Sequence, residues 1–363
     1  MTDKPLTYLD HNATTMLRPC AREAVFHALD MPYNASAIHG AGRAGRQMVE
    51  EARGNVAALI NCPASQVIFN SGATEANNTV LAHFKDERIL TSSIEHVSVL
   101  DSCPQAQRIP VTTDGIVDLD DLESLLKAET TGLVSVMLVN NETGAIQPID
   151  EISKLAKSHG AFVHCDAVQA AGRIAIDMNA MGIDFLSLSA HKIGGPQGAG
   201  ALALGLCGET PVLLHGGGQE KSARAGTENV AGIAGFGAAA LEAAALDLPS
   251  YQDTFETWLR ETTDAVIYSA NVPRVANTTF FAFPGIRAET VLISLDLEGI
   301  FLSNGSACSS GTVKPSHVLT AMGASEEDAL CGLRLSTGWN TSADDIERLS
   351  NALEKLWRRI RDA

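Results

Sequence analysis

The chain has 363 residues, of which 45% are hydrophobic and 19% charged, so it can bury a large core and two domains are expected. Asp and Glu number 43 against 26 Lys and Arg, which gives a formal net charge of −17. This balance argues against a protein that binds nucleic acid or an acidic membrane surface, because both need clustered positive charge.

Neither a signal peptide nor a membrane span is predicted. The N-terminal residues M-T-D-K-P-L-T-Y-L-D-H contain no apolar core of the kind that a signal peptide needs. The longest apolar segment, residues 230–246, is rich in Gly and Ala and includes Glu242, which predicts a packed helix. We therefore expect a cytoplasmic protein.

The first predicted elements are a short strand and a helix. Residues 8–15, Y-L-D-H-N-A-T-T, predict a strand that runs into a polar turn. The motif G-A-G-R-A-G at residues 40–45 matches a dinucleotide fingerprint, but it follows polar residues, and Ser65 stands about where the acidic ribose ligand belongs. We reject a dinucleotide site. We expect these glycines to allow close packing ahead of a helix that starts near Arg46 and ends before Pro63.

Strands and helices alternate from Gln66 onward, which predicts a mostly parallel sheet wrapped by helices. The C-terminal third predicts a further strand at residues 275–283 and a helix at residues 344–359. The strands of the alternating region are predicted at residues 67–69, 88–91, 133–139, 161–164 and 184–188. Its helices are predicted at residues 119–127 and 151–159, and a further helix opens at residues 70–75 and runs to about residue 84.

The turn N-S-G-A-T-E, residues 70–75, joins the first of these strands to its helix. Free N–H groups and the helix dipole at such a turn favour an anion site, although an ordinary N-cap explains the same residues. A second junction, residues 184–200, places Lys192 at the end of an apolar strand. A buried amine there loses its proton readily and can form a Schiff base. Taken alone, this junction is more typical of a surface lysine.

Ligands of parallel sheets bind at the carboxyl ends of the strands. Five strand ends would bring together an anion cradle, an imidazole, an amide, a carboxylate and an amine, which are the groups that pyridoxal phosphate (PLP) needs. Alone, Asp166 could cap a helix and His96 could be a core histidine. The polar groups that follow the strands are Ser71-Gly72-Ala73-Thr74, Glu95-His96, Asn140-Asn141-Glu142, Asp166-Ala167-Val168-Gln169 and His191-Lys192.

The seven cysteines are widely spaced and form no C-x-x-C motif, so neither a disulfide framework nor a metal site is expected. Cys308 differs from the others because only small polar residues surround it in S-N-G-S-A-C-S-S-G, residues 303–311. Such a segment suits a nucleophile that must move, although an incidental cysteine in a glycine-serine loop is the alternative. Cys207, which also lies near glycines, is the competing candidate.

The chain resembles the cysteine desulfurases, a branch of the class-V aminotransferase-like enzymes of PLP fold type I. The resemblance spans nearly the whole length. It rests on the motifs N-S-G-A-T-E, S-I-E-H, V-N-N-E-T-G, H-C-D-A-V-Q, S-A-H-K, H-G-G-G-Q-E…R-A-G-T and N-G-S-A-C-S-S-G, the last of which is similar to the long-loop group.

The resemblance implies an α/β fold with a mostly parallel central sheet and a smaller C-terminal α+β domain. We expect a large PLP-binding domain at residues 17–245. A small domain at residues 246–363, joined by the N-terminal arm 1–16, would carry the catalytic cysteine.

The resemblance also implies a role for each matching residue. Lys192 would carry the cofactor, Asp166 would pair with its ring nitrogen, His96 would stack on the ring and shuttle protons, and Gln169 would meet its phenolic oxygen. Thr227 would reach the phosphate of the partner subunit, which implies a homodimer. The residues expected to hold the phosphate within the chain are Ala73, Thr74, Ser189 and His191, and those expected to receive the substrate carboxylate are Asn141 and Arg334.

The implied activity is the conversion of L-cysteine to L-alanine, with the sulfur held as a persulfide on Cys308. The sulfur would then pass to an acceptor protein such as an iron–sulfur scaffold. A selenocysteine lyase or a related β-eliminating PLP enzyme is the alternative. A serine hydrolase is excluded because H-G-G-G at residues 215–218 has no accompanying G-x-S-x-G, and a non-catalytic PLP protein is disfavoured by the presence of both Lys192 and Cys308.

Two segments depart from the pattern of the family. Lys192 is followed by I-G-G-P-Q, where many relatives carry an aromatic residue and a second lysine. Residues 221–223 read K-S-A, without the arginine or glycine common there. We expect both departures to loosen contacts around the cofactor without abolishing the chemistry.

Overall fold

The structure is a computed structural model that describes residues 6–205, 210–245, 248–305 and 314–361. Cys207 and Cys308, which the sequence singled out, lie outside the described residues. The strands are β1 (Thr7–Tyr8), β2 (Val67–Asn70), β3 (Ile89–Ser92), β4 (Gln107–Ile109), β5 (Leu133–Ser135), β6 (Phe162–Asp166), β7 (Phe185–Ser189), β8 (Gly200–Leu204), β9 (Val266–Ile267), β10 (Thr278–Ala282), β11 (Ile300–Phe301) and β12 (Gly332–Ser336). The helices are α1 (Pro19–Leu29), α2 (Gly40–Leu59), α3 (Ala73–His83), α4 (Val97–Leu100), α5 (Leu119–Ala128), α6 (Ile149–Ser158), α7 (Val230–Ala243), α8 (Gln252–Thr262), α9 (Ala288–Leu297), α10 (His317–Ala321), α11 (Glu326–Ala329) and α12 (Ala343–Arg361).

The central sheet has the strand order β2-β8-β7-β6-β5-β3-β4. Neighbours from β7 to β4 pair in parallel, whereas β8 runs antiparallel to both β2 and β7. The predicted α/β class with a mostly parallel sheet is therefore confirmed. The carboxyl ends of β2, β3, β5, β6 and β7 face one edge of this sheet, where the site lies.

Two predicted boundaries were wrong. Helix α2 starts at Gly40 instead of near Arg46, because the ring of His39 caps it by accepting a hydrogen bond from the N–H of Gly42 at 3.2 Å. The glycine cluster is therefore part of the helix and does not precede it. Strand β5 ends at Ser135, although the chain stays beside β6, since Val136 N and Leu138 N still donate to carbonyls of that strand at 3.0 Å.

Helix α7 is the Gly/Ala-rich segment that the sequence predicted to be a packed helix. It packs against α1 and α2, and a Cβ atom at Gly237 would lie 2.4 Å from the Cα of Ala52. The two helices approach so closely that only glycine fits at this position. Among the described helices, none is long and apolar enough to cross a membrane.

A second apolar cluster forms away from the central sheet. It joins α8, α9 and α12 to the antiparallel sheet β12-β10-β9, with Phe255, Phe281 and Leu353 fully buried. The N-terminal segment adds Leu9 to this cluster and pairs β1 in parallel with β11. On this basis we propose the division into residues 17–245 and 246–363, with the arm 1–16 packed on the second part.

A buried ion pair holds the loop that precedes Thr227. The guanidinium of Arg53 on α2 donates to both carboxylate oxygens of Glu220 at 2.7 and 2.9 Å, and Glu220 also accepts the N–H of Phe69 at 2.8 Å. Glu220 has φ 47°, in the left-handed region that most residues avoid. The ion pair therefore stabilises a strained loop.

We predict that Glu220→Ala lowers the free energy of unfolding by about 3 kcal/mol, because it leaves the buried Arg53 without its main partner. Urea denaturation of the full chain measures this change. The control is Glu123→Ala, which removes an exposed ion pair with Lys127 and should change stability little. Equal effects of the two substitutions would contradict the prediction.

Candidate active site

A cavity of about 950 Å³ opens at the carboxyl edge of the central sheet. It collects side chains from the ends of several strands, from the N-terminal segment and from β12. The predicted site residues that line it are Ala73, Thr74, His96, Asn141, Asp166, Gln169, Ser189, His191, Lys192 and Arg334.

The N-terminus of α3 forms one wall of this cavity. Among the described residues, no side chain caps this helix, so the first N–H groups face the cavity with the positive end of the helix dipole. Gly72 precedes the helix with φ 149°, a conformation that other residues rarely adopt. Ser189 and His191 line the same cavity, which gives the wall the donors that an anion needs.

Lys192 ends the turn that follows β7. Its Nζ donates to the backbone carbonyls of Asn12 at 2.5 Å and Ala13 at 2.8 Å. Burial, followed by the positive charges of Arg334 and Arg173, lowers the pKa of Lys192 to about 7. A large share of this amine is therefore neutral at neutral pH and can act as a nucleophile or a base.

Asp166 ends β6 and is buried beside the cavity. Its Oδ2 accepts a hydrogen bond from Nδ2 of Asn77 at 2.8 Å, and its Oδ1 accepts from the N–H of Val168 at 3.0 Å. The sequence analysis missed Asn77. The sequence feature that could have identified Asn77 is its position one turn after Ala73, on the face of α3 that also carries the buried Val80.

His96 caps the short helix α4. Its Nδ1 accepts from the N–H of Ser98 at 3.1 Å and lies 2.8 Å from the Ser98 hydroxyl. Burial lowers the pKa of His96, the carboxylate of Asp166 opposes this, and the Lys192 amine lowers it further. With Nδ1 accepting, the neutral ring carries its proton on Nε2.

Three buried polar atoms of residues on the cavity wall have no hydrogen-bond partner within the described ranges. They are Nε of Arg334, Oδ1 of Asn141 and Oε1 of Glu142. The rest of the Arg334 guanidinium is held in place, since it donates to Asp10 at 2.5 Å and to the backbone carbonyl of Asn141 at 2.9 Å. An unsatisfied buried group is costly, so these atoms fit a polar ligand that supplies the missing partners.

Thr227 lies apart from the other predicted site residues. Thr227 is exposed and does not line the cavity of its own chain. Cys308 lies outside the described residues, but the described residues that flank its segment, Gly305 and Lys314, both line the cavity. The segment that carries Cys308 therefore begins and ends at this site.

The sequence analysis also assigned no role to a contact between the Asn141 turn and the far flank of the Cys308 segment. Glu142 is fully buried, and its Oε2 accepts the hydroxyl of Ser316 at 2.5 Å. Burial raises the pKa of Glu142. The turn that carries Asn141 is thus hydrogen-bonded to Ser316, which follows the Cys308 segment in the chain.

The chemistry of these donors fits PLP. An uncapped helix N-terminus suits a phosphate, and the buried carboxylate of Asp166 suits a protonated ring nitrogen. The partly neutral amine of Lys192 suits the aldehyde. All of these groups line one cavity.

Comparisons with known proteins identify relatives over almost the full length. The model of the class-V aminotransferase family matches residues 7–349. A protein named cysteine desulfurase IscS from Dictyoglomus turgidum is 39% identical, over 98% of this chain and 95% of its own length. Two solved structures are similar: a NifS-like protein from Rickettsia africae (TM-score 0.91, 38% identity, 98% of this chain and 100% of that chain) and SspA in complex with cysteine (TM-score 0.80, 30% identity, 93% and 100%).

Glu95, which directly precedes His96, is a fully buried carboxyl group beneath the site. Its Oε1 accepts the Ser92 hydroxyl at 2.5 Å and the N–H of Met137 at 2.8 Å, whereas Oε2 has no partner among the described residues. Burial raises the pKa of Glu95 from 4.5 to about 8, so the folded protein keeps a proton that the unfolded chain releases.

We predict that this proton makes stability fall as pH rises from about 4.5 to 8, since the folded state binds more protons in that window. Glu95→Gln mimics the protonated acid. It should therefore be more stable than the unchanged protein at pH 8, by on the order of 2–4 kcal/mol, with a smaller difference at pH 5.5. Urea denaturation at both pH values measures this, with Glu123→Gln as an exposed control. If the gain in stability of Glu95→Gln over the unchanged protein were no larger at pH 8 than at pH 5.5, the prediction would be wrong.

Proposed function

Because this chain belongs to the class-V aminotransferase family and is a cysteine desulfurase, we propose that its cavity binds PLP and presents L-cysteine to Cys308. The observation that carries the proposal is the convergence on one cavity of Lys192, Asp166 and the open N-terminus of α3. The alternative, selenocysteine lyase, is not favoured, since the relatives at 35–39% identity are named for cysteine.

Each residue of the wall has one task toward the cofactor. The start of α3 would hold the phosphate, Asp166 would pair with the ring nitrogen, and Gln169 would meet the phenolic oxygen. When bound, PLP supplies a sink for the electron pair left on the substrate Cα. The residues that hold it are Ala73, Thr74, His96, Asp166, Gln169, Ser189, His191 and Lys192.

Arg334 and Asn141 bind the carboxylate of the substrate. The planar guanidinium of Arg334 is fixed by Asp10, and its unpartnered Nε is free to donate to an anion. Asn141 is anchored through its backbone carbonyl, which accepts from Arg334, and its side chain faces the cavity. These contacts orient the substrate without contributing to the chemical step directly.

Lys192 moves the proton of the substrate Cα. Its amine, with a pKa of about 7, can both accept and return a proton near neutral pH. His96 lines the same cavity and holds its ring proton on Nε2, which suits it to protonate a product atom. Both roles depend on burial, which lowers the pKa of each group.

Cys308 receives the sulfur. Burial raises the pKa of every described cysteine, to about 11 for Cys20 and Cys62, so these thiols are poorly ionised. The Cys308 thiolate attacks the substrate sulfur and forms an S–S bond. The substrate C–S bond breaks, its electron pair stays on Cβ, and Cβ takes up a proton. The products are L-alanine and a persulfide on Cys308, with no outside oxidant or reductant.

The persulfide sulfur passes to an acceptor protein in iron–sulfur cluster assembly. Gly305 and Lys314, which flank the Cys308 segment, line the cavity, which suits a thiol that must serve both the substrate and an acceptor. A second copy of the chain completes the site. Thr227 is exposed on its own chain, which leaves it available to the phosphate of the partner subunit.

We predict that Cys308→Ser retains the folded protein and its bound PLP but loses at least about 100-fold in sulfur transfer, because a serine hydroxyl barely ionises at neutral pH. Mass spectrometry after exposure to L-cysteine should find one added sulfur on the peptide of Cys308. The matched control is Cys62→Ser, which should keep both activity and the persulfide. A persulfide on Cys207, with undiminished alanine production by Cys308→Ser, would overturn the assignment.

We predict that Thr227 acts across a subunit interface. Lys192→Ala and Thr227→Ala chains should each be weakly active, whereas mixed dimers should recover part of the activity. One site of a mixed dimer then holds both substitutions and the other holds neither. Alanine production is measured after subunit exchange has been demonstrated. If the activity does not recover in the mixed dimers, a site shared between subunits is contradicted.

A further inference from the structure

Arg173 is a partly buried guanidinium close to the site, to which the sequence analysis assigned no role. It follows β6 in the chain and borders a small cavity that Lys192 also lines. Among the described residues no carboxylate forms an ion pair with it, and its charged neighbours include Arg334 and Lys192. A guanidinium without an anionic partner is costly to bury, so its retention calls for an explanation.

A chain of hydrogen bonds joins Arg173 to Lys192. Nη1 of Arg173 donates to the side-chain Oε1 of Gln169 and, at 2.8 Å, to its backbone carbonyl. Gln169 in turn donates through Nε2 to the carbonyl of Asn12 at 3.0 Å. The same Asn12 carbonyl accepts the amine of Lys192 at 2.5 Å. Gln169 therefore fixes where the guanidinium sits relative to the amine.

We propose that Arg173, tethered to Gln169, is a positioning residue that keeps a positive charge beside the Lys192 amine. The inference rests on the proposed function of Lys192 as the residue that captures the cofactor aldehyde. A neutral amine attacks an aldehyde and an ammonium does not, so a nearby cation favours the reactive form.

The electrostatics of the site support this assignment. Burial lowers the pKa of Arg173 to about 9, which leaves the guanidinium charged at neutral pH. After burial, the charges of Arg334 and Arg173 are the largest causes that lower the pKa of Lys192, and Asp10 and Asp166 oppose them. The imidazoles of His96 and His191 also interact with Lys192, but burial lowers the pKa of both and keeps them neutral.

The test measures the protonation of Lys192 in the full-length chain freed of cofactor. The protein is acetylated to a trace extent with acetic anhydride across a pH series, and mass spectrometry measures the modification of Lys192. The pH at which the reactivity of Lys192 is half-maximal is its midpoint, and the exposed Lys154 is the internal reference. The unchanged protein should titrate near 7. Arg173→Gln removes the charge but keeps a hydrogen-bond donor, and should raise the midpoint by on the order of one unit. Arg173→Lys keeps the charge and should leave the midpoint within about half a unit.

Arg18→Gln is the matched control. Arg18 borders the same small cavity, but its guanidinium is paired with Glu242 at 3.0 Å and is not among the charges that act on Lys192. Its substitution should not move the midpoint.

Three outcomes would overturn the inference. The first is a midpoint that does not change in folded Arg173→Gln, and the second is a rise in Arg173→Lys as large as that in Arg173→Gln. The third is a midpoint near 10.5 in the unchanged protein, a measurement that does not depend on the folding of any variant. This test measures no turnover. Its failure would therefore leave the predicted loss of sulfur transfer in Cys308→Ser unaffected.

Discussion

The proposed site depends on the buried position of Lys192, which lowers the pKa of its amine to about 7. Burial alone disfavours the ammonium, and two guanidinium groups nearby disfavour it further. The protein tolerates this positive cluster because Arg334 is paired with Asp10 and both arginines donate to backbone carbonyls. The guanidinium of Arg334 gives its part of the cavity wall a positive character that suits a substrate carboxylate.

This local character is opposite to that of the whole chain. The net charge of −17 argues against partners that need clustered positive charge on the surface, but it says nothing about a pocket. The cations that matter are few and buried, and they come from distant parts of the chain. Composition therefore restricts which partners the surface can bind, whereas individual contacts determine the chemistry of the site.

The fold and most of the cavity wall were predictable from the sequence. The alternation of apolar strands with helices predicts a parallel sheet, and the rule that ligands bind at the carboxyl edge selects the residues around Asp166 and Lys192. The start of α2 was mispredicted because a histidine cap is not a usual helix signal. Asn77 and Arg173 were missed because each touches the site through another side chain, and no local pattern reveals such a contact.

Asn12 is a residue whose role in the site is visible only from its contacts in the fold. Its backbone carbonyl accepts from Lys192 and Gln169, while its side chain donates to the Asn141 carbonyl at 3.1 Å and the Thr278 hydroxyl at 2.9 Å. One residue of the N-terminal segment thus links Lys192, Gln169, the turn that carries Asn141, and β10. In sequence Asn12 is only one polar residue in a turn. Its importance arises because the N-terminal segment is hydrogen-bonded both to Lys192 and to Thr278 of β10. A displacement of this segment would therefore disturb Lys192 and Asn141 together.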